Sequence, residues 1–141
     1  MRQFVVAAHA HLAAGLAEAA SFLAGERDNV RVLNLFVDGE LDVAAAARRV
    51  IDETPAGDEL VVCTDLLGGS VNNEFLKAVQ QRPQIRLVTN TNLPVLLQLV
   101  LADEDEPIDD VIRQIVAGDE SRPTFVNDAL AASDVETDEE F

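Results

Sequence analysis

Short runs of β-forming apolar residues alternate along this chain with segments whose apolar residues recur at helical spacing. The third run, Leu60 to Thr64, contains no charged residue, which is typical of a strand buried on both faces of a parallel sheet. Strands that alternate with helices predict βαβ units. We therefore predict an α/β fold with a doubly wound, mostly parallel sheet.

Turn and capping residues separate the predicted elements. The predicted strands are Gln3 to Ala8, Val30 to Phe36, Leu60 to Thr64 and Ile85 to Val88. Gly25 is expected to end the first helix. The residues expected to begin the next four helices are Asp42, Ser70, Pro94 and Pro107. We also predict one short final strand, from Thr124 to Val126.

Charge and length limit the classes of protein to consider. The chain has 141 residues, with 10 Lys and Arg against 26 Asp and Glu, and a net charge of −16. Such a charge repels phosphate backbones and anionic lipid headgroups, so we expect neither nucleic acid nor a membrane surface as a partner. The length favours one domain, residues 1–127. Residues 128–141, which carry many carboxylates, are expected to be an acidic flexible tail.

The single cysteine bears on the compartment. Cys63 cannot form an intramolecular disulfide, and a chain of this size without a disulfide framework fits the reducing cytoplasm. The alanine-rich stretch after Arg2 is similar to a signal peptide, but His9, His11 and Glu18 interrupt it. We therefore expect a cytoplasmic protein.

Ligands of an open parallel sheet bind at the carboxyl ends of its strands, above all where the strand order reverses. The loops at these ends contain, in chain order, His9 with His11, Asp38, Asp65 to Ser70, and Asn90 to Asn92. In a flavodoxin-like order the first and third strands are neighbours. His9 and Asp65 are then expected to meet, although they are far apart in the sequence.

A histidine–carboxylate pair of this kind supports nucleophilic chemistry. Asp65 would fix one ring nitrogen of His9 and leave the lone pair of the other free to attack. The amides of Gly69 and Ser70, at a predicted helix N-terminus, would stabilise the oxygens of a phosphoryl group. No Lys or Arg occurs in residues 5–25 or 54–75. We therefore expect no tightly bound nucleotide, and no metal or other cofactor.

Each of these residues also has an ordinary interpretation. A histidine at a strand end is often part of the surface or core, and His11 is expected to face water in the first turn of a helix. Asp65 could serve as a turn or capping residue. Two glycines before Ser70 fit many strand-to-helix turns, and the lysine of a phosphate-binding P-loop is absent. The combination of residues carries more weight than any one of them.

In these residues the chain resembles the IIA domain of the mannose/fructose/sorbose family of the phosphoenolpyruvate-dependent sugar phosphotransferase system. The likeness extends from about residue 3 to residue 126. Four stretches carry it: Val5 to Ala13 with Gly15 and Leu16, Gly25 to Val30, Thr64 to Ser70 with Asn72, and Asn92 to Leu96.

The resemblance implies a phosphocarrier. His9 would take a phosphoryl group from phospho-HPr and pass it to a histidine of a separate IIB subunit, which serves the membrane components IIC and IID. Asp65 would hold the ring of His9, and Gly69 and Ser70 would receive the phosphoryl oxygens. Members of the family are typically homodimers that exchange a C-terminal strand. Thr124 to Val126 is the candidate for that strand.

The chain departs from the family pattern at three positions. Ala10 stands where members usually have glycine, Ala8 where they often have Ser or Thr, and Val71 where proline is common. Two alternative functions stay open. One is a regulatory or sensor module controlled by phosphorylation. The other is the phosphotransfer subunit of dihydroxyacetone kinase, whose glycine-rich loop usually differs from this one.

Overall fold

The computed structural model describes residues 1–133 of the chain. Within them, four parallel strands form one sheet in the order β2-β1-β3-β4. Their bounds are Arg2–His9 for β1, Val30–Leu35 for β2, Glu59–Thr64 for β3 and Ile85–Val88 for β4. Because β1 pairs in parallel with both β2 and β3, the predicted flavodoxin-like α/β fold is confirmed.

Helices cover both faces of the sheet. They are α1 Leu12–Ala24, α2 Val43–Glu53, α3 Ser70–Gln81, α4 Leu93–Leu101, α5 Ile108–Ala117 and α6 Val126–Ser133. Helices α1, α4 and α5 pack on the face of β1 that carries Phe4 and Val6, and α2 and α3 pack on the face that carries Val5 and Ala7. None of the helices in residues 1–133 is long and apolar enough to cross a bilayer.

Side chains begin two of the helices as N-caps. The Asp42 carboxylate accepts a hydrogen bond from the Ala45 amide at 3.0 Å, as predicted, and Asn92 caps the helix that contains Pro94. The predicted cap at Ser70 is wrong. Gly68 completes the turn after β3 with φ +80, so the extended N-cap residue is Gly69, and Ser70 is already helical.

The predicted strand from Thr124 to Val126 is also wrong in the isolated chain. Thr124 and Phe125 have no regular structure, and Val126 begins α6. A strand exists only through pairing, whereas here the Phe125 carbonyl accepts hydrogen bonds from two later amides and starts a helix locally. Helix α6 crosses the predicted domain boundary at residue 127. Residues 134–141 of the predicted tail lie outside the described residues.

Arg2 organises the edge of the sheet opposite the strand carboxyl ends. Its side chain is 2% exposed, and its guanidinium donates hydrogen bonds to the carbonyl oxygens of three residues in the acidic loop after α4, namely Asp103, Glu104 and Glu106. It also pairs with Glu59 at 3.1 Å. The first residue of β1 therefore anchors a loop about a hundred positions away in the sequence.

Candidate functional site

His9 and Asp65 meet at the carboxyl ends of β1 and β3. The distance from His9 Nδ1 to Asp65 Oδ2 is 2.9 Å, and the His9 main-chain amide donates to the same oxygen at 3.0 Å. The His9 side chain is 42% exposed and that of Asp65 is 9% exposed. The structure thus brings together the two residues that the sequence placed at the switch point, with the carboxylate beneath a solvent-accessible ring.

The protonation of this pair follows from its hydrogen bonds. Burial raises the pKa of Asp65, but the bonds from the His9 amide and ring, together with the charge of that ring, outweigh burial and hold the pKa below its ordinary value. An ionised Asp65 is only an acceptor, so His9 Nδ1 must carry a proton. Within residues 1–133, no group hydrogen-bonds His9 Nε2. In its neutral form, the ring therefore presents a free lone pair at Nε2.

The N-terminus of α3 lies beside the ring. A Cβ atom built on Gly69 would be 3.8 Å from His9 Cε1, so the glycine borders the imidazole without crowding it. Ser70 is exposed at the first helical position, while Val71 is buried. The first amides of a helix have no intrahelical partner and carry its positive dipole end. These amides are therefore available to an anion close to His9.

A polar network that the sequence analysis missed holds this helix start. The buried Thr64 hydroxyl lies 2.9 Å from Asn72 Oδ1 and 2.9 Å from Thr89 Oγ1. Asn90 Oδ1 accepts a hydrogen bond from the Leu67 amide at 3.3 Å. These contacts join the ends of β3 and β4 to the glycine-rich turn. The only sequence signals were polar residues next to the glycine-rich motif and after β4.

Ala10, where the resemblance led us to expect glycine, is in the left-handed region with φ +52. Its amide donates to the Leu35 carbonyl at 2.9 Å and continues the β1–β2 ladder past His9. A residue with a Cβ is strained in this conformation. The turn after His9 thus keeps a conformation that suits glycine although glycine is absent.

Two further contacts around His9 come from the loop after β2. The ring centroids of Phe36 and His9 are 5.3 Å apart, with planes inclined by 30°. His11 Nε2 lies 2.8 Å from Asp38 Oδ2, and both side chains are exposed. His11 does face water as predicted, but it precedes α1 rather than lying within it. Nothing in the spacing of the sequence identified Phe36.

Comparison with known proteins gives a family for this fold and site. A family model described as the PTS system fructose IIA component matches residues 3–116. A structure assigned as a phosphoenolpyruvate-dependent sugar phosphotransferase system permease from Klebsiella pneumoniae is 27% identical, covers 92% of this chain and 93% of its own, and has a TM-score of 0.84.

Two streptococcal structures match a similar share of this chain. A PTS IIA protein associated with the fucose utilization operon of Streptococcus pneumoniae is 27% identical, with coverage of 92% and 96% and a TM-score of 0.76. A phosphotransferase system component EIIA from Streptococcus agalactiae is 25% identical, with coverage of 90% and 99% and a TM-score of 0.75.

The molecule is thus a flavodoxin-like α/β protein with a histidine–aspartate pair at its topological switch point. The match over residues 3–116 identifies it further: the chain belongs to the IIA component family of the sugar phosphotransferase system. Membership supports a role as a phosphotransferase component.

Proposed function

We propose that this protein carries a phosphoryl group from phospho-HPr to a separate IIB subunit, with His9 Nε2 as the carrier atom. One observation supports this above all. Asp65 binds Nδ1 and leaves Nε2 of a partly exposed ring without a partner among residues 1–133. A nucleophile in phosphoryl transfer needs both the free lone pair and the access that this arrangement provides.

The transfer balances without a further reactant. The Nε2 lone pair attacks phosphorus and forms a new N–P bond, while the N–P bond of the donor histidine breaks and returns its electron pair to the donor nitrogen. The His9 ring becomes positively charged, and its Nδ1 proton stays on Nδ1. The Asp65 carboxylate, held ionised by its two hydrogen bonds, stabilises that charge. Delivery to IIB reverses these steps.

The phosphoryl oxygens need donors, and the nearest to His9 are those at the start of α3. The residues next to Gly69 supply main-chain amides with no intrahelical partner, and Ser70 adds an exposed hydroxyl. No cation is required from the chain, because the loose transition state of phosphoryl transfer is stabilised by position and oriented dipoles. Gly69 and Ser70 are therefore proposed as the phosphoryl-binding residues.

The surroundings of His9 suit a protein donor. Three apolar side chains on the elements that carry the site are exposed, namely Leu12, Leu66 and Leu67. Apolar and aromatic residues around a reactive group favour docking against another protein surface. We place the exchange with HPr and IIB in the cytoplasm, since the single cysteine, buried in β3, is compatible with a reducing compartment.

We further propose a homodimer in which the C-terminal segment of one chain covers the β4 edge of the other. Within residues 1–133, β4 pairs with β3 alone and borders an open groove. Its lining is mixed, with apolar side chains such as Leu76, Val79 and Ile112 beside the charged Arg86, Asp109 and Arg113. The apolar Phe125, Val126 and Leu130 are exposed on the C-terminal segment. The open strand edge and these exposed residues support mutual coverage.

The experiment is intact-mass spectrometry after incubation with phosphoenolpyruvate, enzyme I and HPr. The wild type is expected to gain one acid-labile phosphoryl group, and His9→Ala none. His11→Ala is the matched control, since it removes the neighbouring exposed histidine and should still be phosphorylated. Addition of a IIB subunit should then remove the group.

Two outcomes would contradict the proposal. One is no uptake by the wild type from an HPr shown to be active, which would favour a binding or regulatory role. The other is a His9→Ala protein that is phosphorylated like the wild type, which would move the acceptor to another residue. Circular dichroism of His9→Ala should match the wild type, because the ring is partly exposed.

A further inference from the structure

The ring of Phe36 is a second contact on the His9 imidazole, independent of Asp65. Asp65 binds one edge of the ring through Nδ1, whereas Phe36 packs at a centroid distance of 5.3 Å with a tilt of 30°. This distance is within the range of attractive aromatic pairs. The hydrogen bond to Asp65 fixes the position of Nδ1. Packing of Phe36 against the imidazole limits rotation of the ring about the side-chain bonds of His9.

The backbone holds Phe36 in an unusual conformation. Its φ is +68, which bulky residues rarely adopt. The Phe36 amide donates to the Glu40 carbonyl at 2.7 Å and closes a tight loop. Glu40 in turn pairs with Arg49 of α2 at 2.8 Å. A strained residue persists only where its surroundings determine its position, so this loop is fixed from within and from α2.

The His11–Asp38 pair fixes the same loop from the other side. Asp38 lies two positions after Phe36, and His11 two positions after His9, so the 2.8 Å contact joins the two segments that carry the packed rings. The side chains are 62% and 70% exposed. An exposed pair of this kind shifts an equilibrium by no more than about two- to fivefold, which suits the adjustment of a loop rather than the stability of a fold.

We propose that Phe36 is a positioning residue for His9, and that the His11–Asp38 pair holds the loop that presents it. The inference rests on the proposed phosphoryl transfer at His9. Phe36 keeps the imidazole in the orientation in which Nε2 points away from Asp65 and towards the donor. His11 and Asp38 act through Phe36 and are not themselves phosphorylated.

The size of the effect follows from the rotamers of His9. Without Phe36, only the hydrogen bond to Asp65 opposes rotation of the ring into the other two staggered wells of its first side-chain torsion. The productive orientation then loses up to about threefold in population. The rate of transfer at saturating donor should fall by the same factor, while donor affinity stays near that of the wild type.

The test uses Phe36→Leu, which keeps apolar volume but removes the aromatic ring, and Phe36→Tyr, which restores it. Phe22→Leu is the matched control, because Phe22 is exposed on α1 away from the site. His11→Ala breaks the pair with Asp38. Its control is Asp52→Ala, which removes a similarly exposed pair with Arg82.

Two readouts separate positioning from docking and from simple stability. The first is the ring-current shift of the His9 imidazole protons by NMR, measured on the unphosphorylated chain. The second is kcat and KM for transfer from phospho-HPr. Phe36→Leu should abolish the shift and lower kcat about two- to threefold at unchanged KM, and Phe36→Tyr should restore both. His11→Ala should reduce the shift in part, and both controls should match the wild type.

The outcomes are distinct. A Phe36→Leu protein with wild-type kcat and an unchanged His9 shift overturns the positioning role, and so does a rise in KM alone, which would make Phe36 a docking residue. An unaltered shift in His11→Ala overturns the role of the pair. A wild-type chain that takes up no phosphoryl group defeats the proposed function as well, whereas the first three results leave wild-type phosphorylation intact.

Discussion

Replacement of Asp65 by asparagine tests the central contact of the site. Asp65 Oδ2 accepts two hydrogen bonds from His9, while Oδ1 is buried and has no partner in the described part of the chain, residues 1–133. If the asparagine oxygen takes the place of Oδ2, the amide group becomes a buried donor without an acceptor. If the side chain is flipped, its NH₂ group faces the two His9 donors. Neither orientation reproduces the wild-type contacts.

The magnitude follows from the charge on the acceptor. A hydrogen bond to a charged group contributes about 1.5–3 kcal/mol, and one between neutral groups about 0.5–1.5 kcal/mol. In the wild type the charge that develops on the ring faces a carboxylate, whereas in Asp65→Asn it faces a neutral amide. Taking the difference between the two classes of bond, about 1.3 kcal/mol, as the stabilisation lost, the transfer rate should be close to tenfold lower. The flipped orientation favours the wrong ring tautomer, so tenfold is the smallest expected loss.

The assay is a single-turnover measurement of transfer from phospho-HPr by rapid quench. Asp52→Asn, at an exposed carboxylate of α2, is the control for the loss of one negative charge. Urea unfolding should show that Asp65→Asn is less stable by about 2–3 kcal/mol, from the two weakened bonds. A folded Asp65→Asn protein that transfers at the wild-type rate would refute the proposed role of the carboxylate.

The same contact predicts a pH dependence of stability. The folded-state pKa of Asp65 is below its ordinary value, which is about 3.9 in an unfolded chain. The contribution of Asp65 is therefore complete above that unfolded value and is lost as the pH falls through the folded one. In acid titrations of unfolding free energy, the difference between wild type and Asp65→Asn should shrink below about pH 4. A constant difference would contradict the hydrogen-bonded, ionised carboxylate.

Three other changes give separate predictions. Ala10→Gly relieves the strain at φ +52 and should raise the unfolding free energy by about 0.5–1 kcal/mol after the gain in unfolded-chain entropy, and a lower urea midpoint would contradict this. Gly69→Ala adds a methyl group 3.8 Å from His9 Cε1. The protein should fold normally but transfer the phosphoryl group several-fold more slowly. An unimpaired transfer rate would exclude the gap between the His9 ring and α3 as the phosphoryl site. Truncation before Thr124 should leave a folded monomer in sedimentation, because α6 buries no residue in the isolated chain, and a persistent dimer would refute the proposed interface.

The sequence was sufficient for the sheet because the signal for each strand is local. The uncharged run at β3 and the helical spacing on either side of it predict a buried parallel strand from nearby residues alone. Asp42 was predictable as a cap for the same reason. The cap at Ser70 was not, since Gly68 and Gly69 both permit the turn and only the geometry of the turn decides where the helix begins. The prediction of a strand at Thr124 was wrong for the isolated chain because a strand forms only when it is hydrogen-bonded to a neighbouring strand.

The α/β class follows from the sequence alone, which also puts His9 and Asp65 at the carboxyl ends of their strands, where ligands of such a sheet bind. The structure adds that β1 and β3 are neighbours, which brings the two residues together. The packed fold sets which atom of Asp65 binds which atom of His9, and hence that Nε2 is the ring nitrogen without a partner among residues 1–133. The fold also packs Phe36 against the ring and binds Arg2 of β1 to the acidic loop after α4. Such contacts join positions that are not related by helical or strand periodicity in the sequence, so they exist only after the sheet and its helices have assembled.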